Sequence, residues 1–408
     1  MSAIAETPFD AAAGDRLAKR NALVLAAGQA LAGANNTVIV ATGSILGVMM
    51  APDKSLATLP VSAMVLGIWA GTLPLGFLAK RYGRRTAYAS FAACGALAGL
   101  IGYLAITRAS FWLYLVATFF GGLYAASHMS YRFGAADTAS KDFKPKAVAW
   151  VMAGGLFAAI LGPQLVIFTK DLMPPYLFAV SYIGQGAFAV LAGLIILMFF
   201  RAPGAVEEHS TGRRGRPLGE IMRQPRLIVA VVCGVASYAL MNLMMTAAPL
   251  AMYDCGHSVT DAALGIQWHV FAMYAPSFFA GSLILRFGVA RVTAAGLIIL
   301  ALSAVVGLAG ITVAHFWTAL ILLGVGWNFA FVGATTMVVD CHRPEERNKV
   351  QAFNDFLIFG TMAGGSFVSG SMLAHYGWYL VNVVMFPVVA VAGAMLIWLT
   401  LRERVRPA

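Results

Sequence analysis

"GFLAKRYGRR", residues 76–85, follows an apolar run that reaches back to Leu59 and closes it with Lys80, Arg81, Arg84 and Arg85 around Gly83. Cations gathered at the foot of an apolar segment mark the cytoplasmic end of a membrane span, where Lys and Arg are retained. Composition agrees: 60% of the 408 residues are hydrophobic and only 11% are charged, far from the balance of a soluble domain. A spanning helix needs about 20 mostly apolar residues, because in hydrocarbon every backbone polar group must be bonded within the segment.

Twelve such segments are expected, at 22–48, 59–79, 86–106, 111–136, 147–168, 176–200, 227–252, 262–285, 292–313, 316–339, 350–374 and 378–401. The longest interruption, Arg201 to Arg226, is rich in Gly, Pro and charge and reads as a cytoplasmic linker. The expected fold is therefore all-α and membrane-embedded, with a six-helix bundle in 1–200, the linker in 201–226 and a second six-helix bundle in 227–408. With Arg16, Lys19 and Arg20 inside, only Lys54, Arg108 and Lys170 fall outside, so both termini are expected to be cytoplasmic. The net charge of +11 then follows from topology, and a nucleic-acid partner is not expected. The N-terminal stretch carries Glu6, Asp10 and Asp15 and runs into a full-length span, unlike a cleaved signal peptide.

The four cysteines have no CxxC spacing, and no disulfide framework or structural zinc is expected. "DCHRPEE", Asp340 to Glu346, mixes metal-ligand residue types, but it reads better as Pro344 opening a helix with two acids in its first turn. Nothing resembles a phosphate-binding Gly-rich loop ending in Lys-Ser/Thr, so ATP hydrolysis is not expected.

The opening stretch has a copy. "GSLILRFGVAR" begins at Gly281, so Gly76, Arg81 and Gly83 return as Gly281, Arg286 and Gly288, 205 positions on. "SFWLYL" at 110 returns as "HFWTAL" at 315, while Asp137 and "KAVAW" from Lys146 return as Asp340 and "KVQAF" from Lys349, 203 positions on. Half the chain is 204 residues, so the two bundles are duplicates.

Twelve spans, this duplication and a G-x-x-x-[D]-R-x-G-R-R signature between spans two and three resemble the major facilitator superfamily of secondary transporters. The resemblance covers almost the whole chain. Physically, Gly76 would let two helices approach closely and Gly83 would permit the tight turn, leaving Arg84 and Arg85 to reach neighbouring helix ends. The resemblance implies a pairing of the terminal arginine with Asp137, matched by Arg291 with Asp340 in the second half. One departure stands out. The acidic position of the signature is Lys80, and the copy has Leu285. An ammonium there opposes the positive end of the facing helix dipole, so Lys80 needs its own anion, for which Asp355, Glu345 and Glu346 are candidates. Arg132 also sits toward this cytoplasmic gate.

Two further departures concern coupling and direction. Where many proton-coupled members carry an arginine in span four, "LVATFFGGLYAA" has Thr118, with Gly122 retained. Of the glycine-rich run common in antiporters, "GGLFAAILGP" keeps Gly162-Pro163 and small-residue spacing, which equally suits close helix packing.

The architecture implies a cavity near mid-membrane lined by spans one, four, seven and ten. Counting about 1.5 Å per residue brings Asn35, Asn36, Tyr124, Asn242, Met245, Trp327 and Asn328 to that level. Polar groups there are costly unless partnered or wet, and methionine adapts to apolar ligands. His269, His128 and Asp355 are the candidates for carrying a proton, although His269 is as readily a fixed hydrogen-bond donor. The expected function is secondary active transport of a small molecule by alternating access. The leading substrate reading is proton-coupled export of an amphipathic or aromatic compound; the alternative is uptake of a vitamin or metabolite with a flavin-sized ring, and the third reading is a non-transporting scaffold. A monomer in a bacterial inner membrane is expected, with the bilayer as its surroundings, H+ as coupling ion, and no cofactor, metal or enzymatic activity.

Overall fold

A computed structural model describes residues 8–136, 139, 143–201, 215–343 and 346–405. The sequence-predicted gate residues Asp137 and Glu345 lie outside them. Among the described residues the long elements are all helices: α1 (Pro8–Met50), α2 (Leu59–Thr107), α3 (Phe111–Ala136), α4 (Lys144–Thr169), α5 (Ala179–Phe199), the short α6 (Leu218–Ile221), α7 (Pro225–Asp254), α8 (Val259–Tyr274), α9 (Ser277–Phe287), α10 (Val289–Ala309), α11 (Val313–Val339), α12 (Arg347–Val383) and α13 (Met385–Val405).

Eight helical stretches among the described residues are long and apolar enough to cross a membrane. Two of them, α2 and the α12–α13 stretch, are double lengths broken at Gly83 and Gly377, which adopt positive φ values of 81° and 70°. The expected span at 262–285 is not one straight helix: α8 and α9 meet at a 43° bend, where Pro276 removes a backbone donor. The remaining span is α3, whose apolar character is diluted by Ser127, His128, Ser130 and Arg132.

The chain divides into two compact units, one of Met1–Ile39 with Leu66–Glu207, the other of Val40–Val65 with Glu208–Ala408. In the first, glycines set how closely helices approach. A Cβ on Gly33 would come within 2.6 Å of that of Ala158, and one on Gly162 within 2.7 Å of the Ala34 carbonyl, so the glycine run of α4 packs on α1. Gly71 of α2 likewise leaves only 3.0 Å to the Ala126 Cβ of α3. Gly76 does not act this way: a Cβ there, or on its copy Gly281, would meet nothing within 4 Å. The close-approach glycines of α2 sit one and two turns earlier, on the buried face.

In the second unit, α10 and α11 pack through Gly296 and Gly326, where a Cβ on either would come within 3.0 Å of backbone. The segment 40–65 packs here too. Ser44 Oγ donates to the Thr246 carbonyl (3.0 Å), Ser62 Oγ bonds Ser366 Oγ (2.8 Å), and Ser369 Oγ reaches Thr58 Oγ1 (3.5 Å).

The duplication is visible in backbone and side chain alike. Gly83 (φ 81°, ψ 156°) and Gly288 (φ 87°, ψ 148°) share one conformation, and each follows an arginine lying over an aromatic ring, Arg81 over Tyr82 at 5.5 Å and Arg286 over Phe287 at 5.2 Å.

Gly83→Ala is expected to strain its turn by about 1–2 kcal/mol, and Gly162→Val to overpack the α1–α4 contact by about 1–3 kcal/mol. Thermal unfolding of the purified protein in detergent checks both. A midpoint equal to the parent's in either variant removes the corresponding assignment.

Candidate functional site

In the first unit, α1 and α3 meet along a polar seam. On α3, Tyr124, His128 and Arg132 recur every four residues and share a face, while α1 brings Gln29, Asn35 and Asn36. Gln29 Nε2 lies 3.2 Å from His128 Nδ1, and Asn35 Nδ2 approaches the Gly121 carbonyl at 3.5 Å. The Arg132 guanidinium lies over the ring of Phe133, 4.8 Å away. Left without a partner and buried are Gln29 Oε1, Asn35 Oδ1, Asn36 Oδ1, His128 Nε2 and Arg132 Nε. Buried polar atoms are ordinarily bonded, so this concentration along one seam marks a place for water or a polar ligand. Gln29 escaped the sequence reading because it lies nearly two turns from Asn35 and Asn36. Both amide atoms of Gln185 on α5 are likewise buried and unpartnered.

In the second unit, α7, α11 and α12 converge on an aromatic cluster. Trp327 stacks on Phe331 (centroids 5.1 Å, planes 12° apart), and Tyr238 meets Trp327, Phe331 and Phe359 edge-on at 5.3, 5.1 and 6.0 Å. Trp327 is 8% exposed, and its Nε1 has no partner. One turn from Tyr238 along α7, Asn242 Nδ2 donates to the Met362 carbonyl of α12 (3.3 Å). Met245 is buried beside Thr246, whose hydroxyl is unpartnered. Asn328 braces the α8–α9 bend, since its Nδ2 donates to the Met273 carbonyl (2.7 Å) and to Ser277 Oγ (2.6 Å) on either side of it. Its Oδ1 stays unpartnered. His269 is buried with Nδ1 2.8 Å from the Leu320 carbonyl and Nε2 unpartnered. The sequence reading found Trp327 but missed Tyr238, Phe331 and Phe359; aromatic residues at i and i+4 on α11 were the available signal.

The charged ends are wired differently from expectation. Asp340 pairs with Arg226 (2.8 Å), which also contacts Glu403 (3.3 Å); Arg291, exposed in the first turn of α10, is not its partner. Arg226 opens α7 beside the end of α11, and so lies nearer. Glu346 is taken by Arg216, through Nε (2.9 Å), Nη2 (2.8 Å) and the backbone N–H (2.8 Å), and also accepts from the Arg343 N–H (3.0 Å). Fully engaged and buried, Glu346 is not free to serve Lys80, which is exposed. Asp355 is exposed next to Asn354, whose Nδ2 lies 3.2 Å from Oδ1. Pro344, read from the sequence as opening a helix, lies outside the described residues; the helix described after it is α12, from Arg347. In the first unit Arg85 donates to the Leu197 carbonyl of α5, while Arg84 Nη1 reaches Tyr88 (3.2 Å) and Ser130 (3.3 Å). Burial pushes the Cys341 thiol up to about 11, and its Sγ donates to the Met337 carbonyl (3.1 Å).

The sequence matches the family model described as Major Facilitator Superfamily over residues 25–276 and again over 230–408. It is 50% identical over 384 residues to Riboflavin transporter RfnT of Brucella anthropi, covering 93% of this chain and 96% of that protein. It is 27% identical over 385 residues to the uncharacterized MFS-type transporter YddS of Bacillus subtilis, covering 90% of this chain and 88% of that one. Among solved structures, a mutant of the nucleoside transporter NupG superimposes with a TM-score of 0.71 at 15% identity, covering 93% of this chain and 99% of that one; at that identity the likeness is one of fold.

The hydrogen bonds from Arg216 hold the Glu346 carboxyl well below the usual carboxylate range. A carboxyl with a depressed folded value contributes stability above its unfolded pKa, about 4.3, and loses it as pH falls. Glu346→Gln is therefore expected to lower the unfolding midpoint by the same amount at pH 6 and pH 8, with the deficit shrinking below about pH 4. A deficit that grows between pH 6 and pH 8 would contradict the pairing.

Proposed function

The chain belongs to the major facilitator superfamily and is a multi-pass membrane transporter, and from that premise we propose that it takes up a flavin, riboflavin first among them, by alternating access. The observation that carries this reading is 50% identity over nearly the full length to a protein named for riboflavin transport. Chemistry supports it. Riboflavin carries a flat aromatic ring system, and the second unit by itself offers an aromatic cluster on which such a ring can lie. The flavin reading displaces export of a drug-like amphiphile because the relative is named for riboflavin transport.

Within this reading the termini face the cytoplasm of a bacterial inner membrane, the protein works as a monomer, and H+ is the coupling ion. His128 and His269 are the proposed proton carriers. Asn35, Asn36, Tyr124, Asn242, Met245, Trp327 and Asn328 are proposed to bind substrate, and Lys80, Arg81, Arg84 and Arg85 to form part of the gate.

Expression in a bacterium that can neither make nor import riboflavin tests the function. Saturable accumulation of labelled riboflavin and growth on low external riboflavin are expected; no accumulation above vector cells, with the protein present in the membrane, removes the reading. Faster loss of riboflavin from preloaded cells, without uptake, reverses the direction. A protonophore is expected to slow initial uptake several-fold, and uptake indifferent to it removes the proton.

A further inference from the structure

We propose that the cluster of Tyr238, Trp327, Phe331 and Phe359 is the ring-binding subsite, taking a planar fused aromatic ligand whose edge carries a carbonyl or ring-nitrogen acceptor for Trp327 Nε1. The inference rests on the flavin reading for the ligand's identity, but its geometry stands apart from it. Three features point to a polar aromatic ligand and away from ordinary packing.

The first is the unpartnered indole N–H. Trp327 is 8% exposed, and its Nε1 has no acceptor. Buried tryptophan normally places that group against an oxygen, so this N–H is available to an acceptor that a ligand brings. A lipid chain cannot supply one. Trp327 lies about 21 Å along α11 from Val313 and about 18 Å from Val339, at 1.5 Å per residue, which is the middle of a helix long enough to span a bilayer.

The second is convergence. Tyr238, Phe331 and Phe359 come from three different helices, and all three are only partly buried, so ring surface remains open beside the Trp327–Phe331 stack. Offset and edge-on contacts among them leave aromatic faces on which another flat ring can lie. The third is the neighbouring polarity. Asn242 lies one turn along α7 from Tyr238, with its amide N–H2 held by Met362, and the unpartnered Thr246 hydroxyl lies one turn further. A ring stacked on the cluster thus has the Trp327 N–H as a donor, with the Asn242 amide on the neighbouring turn of α7. An isoalloxazine answers this pattern: its pyrimidine edge alternates carbonyl acceptors with an N–H donor.

Quenching of riboflavin fluorescence by the purified full-length protein tests the subsite, with lumichrome (the ring without the chain) and ribitol (the chain without the ring) as competitors. Lumichrome is expected to compete and ribitol not. Trp327→Leu and Phe331→Leu are expected to weaken riboflavin about 5- to 100-fold, the range aromatic stacking is worth. Trp327→Phe, which keeps a ring but removes the N–H, should lose less, and Trp398→Phe, far along the chain on an exposed face, should match the parent. Should a leucine variant fail to fold, Trp327→Phe and Phe359→Leu carry the test. Parent-like affinity in the folded cluster variants, or competition by ribitol without lumichrome, overturns the subsite even if riboflavin is transported. If the parent binds lumichrome but not riboflavin, the ring subsite stands and the riboflavin reading falls; if it binds neither, both fall.

Discussion

A polar group in hydrocarbon has no water to bond, and nearly everything informative about this protein follows from where that constraint is met and where it is not. The helices meet it for the backbone. Even the α8–α9 bend is served, because Asn328 supplies the donor that the Met273 carbonyl loses there. Against that background, unpartnered atoms along the α1–α3 seam and at Trp327 are costly in isolation, and the simplest explanation is that water or substrate completes them.

Apolar burial does little to hold helices together among lipid tails, so close contact must come from small side chains and a few hydrogen bonds. Gly33, Gly162, Gly296 and Gly326 do the first. Hydroxyls do the second for the segment 40–65, which belongs by sequence to the first repeat but packs with the second unit. Bonds such as Ser62–Ser366 average about 0.6 kcal/mol within membranes.

The charged ends follow proximity more than symmetry. Arg216 and Arg226 lie at the start of the second unit and take the acids at the end of α11 and the start of α12, leaving Arg291 of the repeat without its expected counterpart. The exposed triad of Arg226, Asp340 and Glu403 contributes little to stability. The buried carboxylate of Glu346, with four hydrogen bonds, is the stronger tie, and it holds the segment before α6 to the start of α12.

Fold class, span number, repeat and the turn at Gly83 were legible in the sequence, because each depends on local composition: hydrocarbon thickness sets segment length, and a positive φ demands glycine. What counting along a helix does not reveal is which neighbour a side chain meets. Gly76 faces open space, His269 is committed to the Leu320 carbonyl, Glu346 to Arg216, and Tyr238, Phe331 and Phe359 assemble around Trp327 from three helices. Those outcomes depend on helix rotation and on contacts between residues distant in sequence, and only the tertiary structure decides them.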